Sequence, residues 1–193
     1  TIFMGLTIHY SGTFRSNASL GNMIEEAVAF AKSNNWEHLV LETEFPDSEV
    51  PLSDVPIYGV VLFPPNCESV CLAFHPNRKL GFYSDLRELT MSTWVGNESG
   101  EGDWVEDKLP DDYEPTWSGF TKTQFAGADV HMKVVELLKL ISPKYIDAFE
   151  VFDESDYWSH GNEEVLRKRF GEGIDFNMLN FDPSNPDFRI PTA

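Results

Sequence analysis

Apolar and polar residues alternate through Leu6, Ile8 and Tyr10, so residues 4–14 read as a half-buried β-strand. Ser16, Asn17 and Ser19 then offer helix N-caps. Leu20, Met23, Ile24, Ala27 and Ala31 follow at the 3.6-residue period of one helical face, and Asn34-Asn35 is the expected stop. A second strand over residues 37–44 leads into an acidic, Pro-containing loop that ends near Pro56. Residues 57–63 are continuously apolar and closed by Pro64-Pro65, which fits a strand buried on both faces.

Residues 70–74 and 80–83 are two short apolar runs. Between them, His75-Pro76-Asn77-Arg78-Lys79 reads as a hairpin turn. Residues 97–116 are rich in Gly, Asp and Glu and lack periodicity, so a long exposed acidic loop is expected there. A strand over 120–125 ends at Gly127. Asp129 is then the expected cap of a helix with Val130, Val134, Leu137, Leu138 and Ile141 on one face, stopped by Ser142-Pro143. Residues 146–152 return to strand character. Asn162-Glu163-Glu164 open a short helix that closes on Arg167-Lys168-Arg169 and Gly171, with acids first and bases last, as the helix dipole favours. Phe176, Phe181 and Phe188 lie among three prolines in residues 171–193, which predicts an extended C-terminal arm packed by its aromatics.

These elements predict an α+β fold: a single domain over residues 1–170, with a twisted, mainly antiparallel or mixed sheet of five to seven strands. Two longer helices and a short one pack mostly on one face. The strands at 4–14, 57–63 and 120–125 are expected to be central.

A chain of 193 residues buries enough surface to fold without a disulfide or metal staple. Its two cysteines, Cys67 and Cys71, are too few for a disulfide framework and have no further Cys near them to complete a zinc site. No apolar run approaches the length of a membrane span, and the N-terminus lacks the basic-then-apolar layout of a signal peptide. Met4 can serve as a start, which would make residues 1–3 an upstream extension. The expected location is the cytoplasm.

Charge changes the picture more than composition does. The net charge is −18, and it is concentrated in residues 42–54, 97–114 and 147–164, which contain one base (Lys108) among them. Such surfaces repel nucleic acid and anionic lipid and favour cations or a basic protein.

The densest gathering of reactive groups is Asp153-Glu154-Ser155-Asp156-Tyr157-Trp158-Ser159-His160, between a strand and a helix. Its carboxylates and imidazole are of the types that hold a divalent cation, but the spacing is not that of a calcium loop. Alternatively the segment is a turn, capped by Asp156 or Ser159 and anchored by an inward Trp158. His9 falls on the strand face opposite Ile8 and Tyr10, and His131 opens a helix as a satisfied or solvent-facing residue. His38 and His75 are expected to face water. Phosphate-cradling and nucleophile-elbow motifs are missing, and no cofactor is called for.

Trp104, Tyr113 and Trp117 add aromatic anchors in or beside the acidic 97–116 segment. Gly-Leu-Thr-Ile-His-Tyr at 5–10, Thr-Lys-Thr-Gln-Phe-Ala at 121–126 and Asp-Glu-Ser-Asp-Tyr-Trp at 153–158 resemble an uncharacterised family of bacterial proteins over residues 4–170. That resemblance implies no activity and carries over no functional residue.

Two functions follow as expectations. The first is a non-catalytic, inhibitor- or immunity-like protein that contacts a basic partner through Asp153, Glu154, Asp156, Trp158, Trp104 and Tyr113. The second is a metal-assisted hydrolase or small-ligand enzyme built on His9, His131, Asp156 and His160. It requires those imidazoles to converge.

Overall fold

A computed structural model describes residues 6–47, 57–81, 91–96, 102–107 and 117–171 of the chain. The alternation at the start builds β1 (Thr7–Phe14), and Ser19 caps α1 (Leu20–Ser33) by accepting the Asn22 N–H at 3.2 Å. The buried face of α1 is Leu20, Met23, Ile24, Ala27 and Ala31, the set its period predicts. There follow β2 (Glu37–Val40), β3 (Tyr58–Phe63), β4 (Val70–Phe74), β5 (Leu80–Gly81), β6 (Met91–Gly96), β7 (Gly102–Asp107) and β8 (Gly119–Lys122). The chain then forms α2 (Ala128–Tyr145), β9 (Ile146–Asp153), α3 (Tyr157–His160) and α4 (Glu163–Gly171).

The architecture is α+β with antiparallel strand pairing, but the strands form two main sheets rather than one. One has the order β8-β1-β9, the other β2-β3-β4-β5, and β6-β7 forms a separate hairpin. β1 and β3 are interior strands, as expected. The 120–125 strand was expected to be central and instead forms an edge, because β1 fills its inner side and its other side meets the start of β4. There Glu68 N–H donates to Lys122 O at 3.3 Å, and Thr121 Oγ1 donates to Ser69 O at 3.0 Å.

A second correction concerns the acidic loop. Residues 102–107 pair with 91–96 as a hairpin that sets Trp104 opposite Trp94. Sheet pairing supplies there the order that side-chain periodicity does not announce. The rest of that loop, Tyr113 with it, and the arm beyond Gly171 lie outside the described residues.

Both main sheets close on one core. Ile8, Tyr10 and Phe14 of β1 meet Val60 and Leu62 of β3, Leu72 and Phe74 of β4, the buried face of α1, and Val134, Leu137, Leu138 and Ile141 of α2. Tyr10 ties the sheets directly: its Oη accepts the Cys71 N–H at 3.0 Å and lies 3.4 Å from Thr121 Oγ1. Burial raises the Tyr10 phenol well above its usual range. Ile57, Val61, Cys71 and Ala73 form a smaller cluster with Leu41 and Trp117.

Close backbone approach explains one glycine. Gly59 in β3 has φ +123°, and a Cβ there would sit 2.1 Å from Leu72 O.

Two helix ends differ from expectation. Gly127 is the N-cap of α2, with Asp129 exposed in the first turn and bound to Arg167, so Asp129 is not the cap. It also runs through Pro143 to Tyr145. Arg15 Nη1 donates to the Pro143 and Lys144 carbonyls at 2.7 and 3.2 Å, satisfying groups a helix end leaves open.

Candidate functional site

His131 lies in the first turn of α2 and Asp153 at the last position of β9, and the fold brings them together. His131 Nε2 stands 3.2 Å from Asp153 Oδ2 and 3.0 Å from Ser155 Oγ, while Nδ1 stands 2.7 Å from Thr123 Oγ1. Asp153 is saturated as an acceptor. Its Oδ1 takes Ser155 N–H at 2.8 Å and Ser155 Oγ–H at 2.7 Å, and its Oδ2 also takes Trp158 N–H at 2.8 Å.

The proton inventory follows from these partners. With the Ser155 hydroxyl donating to Asp153, both neighbours of Nε2 are acceptors, so Nε2 carries a hydrogen. Nδ1 then accepts from Thr123 in the neutral ring, or donates to it in the charged ring. In the second case the Thr123 hydroxyl turns to Leu6 O, 3.2 Å away. The threonine rotor leaves no polar atom unpaired in either state.

Burial pushes the Asp153 carboxyl up. The hydrogen bond and charge of His131, the Ser155 hydroxyl and the Trp158 N–H outweigh it and hold the group at about 2.

Thr123, His131 and Asp153 have the nucleophile–base–orienter distances of hydrolytic triads. Access is what they lack. Thr123, His131 and Ser155 have no solvent exposure, and the rings of Tyr157 and Phe170 stand edge-on to the imidazole at 6.1 and 5.7 Å. A groove of about 530 Å³ beside α2, lined by Asp129, Met132, Glu136, Lys139 and Tyr157, includes none of Thr123, His131, Asp153 and Ser155, and Tyr157 lines the groove and also packs against His131. The arrangement binds the end of β8, α2, β9 and the turn into α3 to one another.

The acidic segment 147–164 is also largely spent within the fold. Arg15 takes Asp147 at 2.6 Å, Arg169 takes Asp156 at 3.2 Å and Arg167 takes Glu163 at 2.7 Å. Glu154 Oε2 accepts the Thr7 N–H at 2.8 Å, and its Oε1 stands 3.7 Å from His9 Nε2. Among the described residues Glu150 and Glu164 have no ion-pair partner. The groups that offset this segment are Arg15 just after β1, His131 in α2, and Arg167 and Arg169 in the adjoining α4.

Of the residues assigned to partner contact, Asp153 is therefore buried and out of a partner's reach. Asp156 is exposed but paired, in a left-handed conformation with φ 62°. Trp158 is half-buried against Phe149, with Lys139 Nζ 5.1 Å from its ring centroid.

The imidazoles do not converge as a metal site requires. His9 lies on the open face of β1, and His160 Nδ1 accepts the Asn162 N–H at an exposed helix end. Among the described residues no group of three or more His, Cys, Asp or Glu is placed to hold a metal ion.

His75, expected to face water, is instead buried beside Trp117 at 5.2 Å, and burial lowers its pKa. Cys67 and Cys71 form no disulfide, and burial pushes the Cys67 thiol up to about 12. No described helix is long and apolar enough to cross a membrane. No protein-family model, curated protein or solved structure matches the chain.

Sequence reasoning identified the 153–160 segment but missed Thr123 as part of it. The one local sign was Thr-Lys-Thr in a strand directly before the helix that carries His131.

Proposed function

We propose that this is a cytoplasmic, non-catalytic binding protein that meets a basic protein through an acidic, aromatic-containing surface, in an inhibitor- or immunity-like role. One observation carries the reading. The hydroxyls, imidazole and carboxylate that do meet are sealed from solvent and spend their hydrogen bonds on one another. The net charge of −18 supports it, since an acidic surface accelerates encounter with a cationic partner and disfavours nucleic acid.

Affinity capture from native lysate at low and moderate salt, with the bound proteins identified, tests the proposal. It expects basic proteins at low salt that weaken as salt rises. Recovery of none at either salt contradicts it.

A further inference from the structure

The outer face of the β8-β1-β9 sheet carries an aromatic row. His9 is the register partner of both Phe120 and Phe152, and its ring lies 6.2 and 6.0 Å from theirs. Its neighbours in β1, Ile8 and Tyr10, point into the core, so the row points away from it. An antiparallel sheet can keep one face in water. What is unusual here is the occupant: Phe152 is 65% exposed, and the His9 side chain is 46% exposed.

Two carboxylates flank that ring. Glu150 lies two residues before Phe152 on the same strand face, in register with Ser11, and has no ion-pair partner among the described residues. Glu154 lies two residues after it, near His9, with one oxygen held by the Thr7 N–H. Phe125, 71% exposed, follows β8 at the same end of the sheet as Glu154. The one base in register on this face is Lys122 of β8, on the side away from β9.

We propose that this face is the docking surface for a basic protein partner, with an arginine stacked on Phe152 between Glu150 and Glu154. It rests on the basic-partner reading above and gives that reading a location. A guanidinium is planar and weakly hydrated, so it lies on an aromatic face while its edge donates to a carboxylate. The lysine ammonium is a compact, strongly hydrated charge and does this less well. A second copy of this chain is the poorer occupant, because it would bring Glu150 and Glu154 against further carboxylates.

The test uses the full chain and a short peptide of alternating arginine and alanine, with the lysine analogue beside it. Binding at low salt is followed by calorimetry and amide NMR. The arginine peptide is expected to shift the amides of residues 9 and 150–154 and to bind more tightly than the lysine analogue. Its affinity should fall by about fivefold or more in Phe152→Ser and in Glu150→Lys. It should stay unchanged in Glu164→Lys, an exposed site on α4.

Unfolding curves confirm that each variant is folded, and Glu150→Gln serves if Glu150→Lys is not. Equal affinity in all variants overturns this surface and leaves the basic-partner reading standing. No binding of either peptide by any form overturns both. Dimerisation abolished by Phe152→Ser makes a second copy the occupant and also overturns the proposal.

Discussion

His131, in the first turn of α2, and Asp153, at the last position of β9, meet at 3.2 Å where neither the imidazole nor the carboxylate reaches water. Asp153 titrates at about 2 in the folded chain against an ordinary 3.8. The stabilisation is therefore fully present above about pH 3.8 and is lost as pH falls through about 2. A depression of that size is worth about 2 kcal/mol. Denaturant unfolding between about pH 5 and pH 2 should show the wild type losing about 2 kcal/mol more than Asp153→Asn.

Thr123 supplies the partner of His131 Nδ1. Thr123→Val keeps the shape but removes the hydroxyl, leaving a buried ring nitrogen unpaired at a cost of about 1–3 kcal/mol. Thr123→Ser keeps the hydroxyl and should cost clearly less. The difference between their unfolding midpoints isolates the hydrogen bond.

Tyr10 Oη accepts the Cys71 N–H between the two sheets. Tyr10→Phe leaves that buried amide without its acceptor and should cost about 1–3 kcal/mol by chemical denaturation. Amide exchange at Cys71 should accelerate with it.

At Gly59 the obstacle is backbone, the Leu72 carbonyl, and φ is +123°. Gly59→Ala should destabilise by about 3 kcal/mol or more, because strain and overpacking add. A Gly21→Ala control in α1, where the nearest atom is 3.8 Å away, should be neutral or stabilising.

Local elements were legible in the sequence wherever one periodicity governed. The buried face of α1 and the alternation of β1 appear in the structure on the expected residues. The β6-β7 hairpin was not legible, because the Gly, Asp and Glu of β7 mask a strand stabilised by pairing. The 153–160 segment stood out by its chemistry, but its role did not. Arg15, His131 and Arg169 reach the acids of 147–164 only through tertiary contact, and no spacing within 147–164 announces them; Arg167 with Glu163 is the local exception, an i,i+4 pair within α4. For the same reason Asp153 looked like a surface carboxylate.

Asp153→Asn, measured by denaturant unfolding at neutral pH, tests most directly whether this cluster serves the fold. The variant strips the buried His131 imidazole of its carboxylate partner and sets an amide against the Trp158 and Ser155 donors. The account predicts a loss of about 3–5 kcal/mol with the secondary structure of the surviving folded state retained. Stability within about 0.5 kcal/mol of wild type would place Asp153 among surface residues and contradict it.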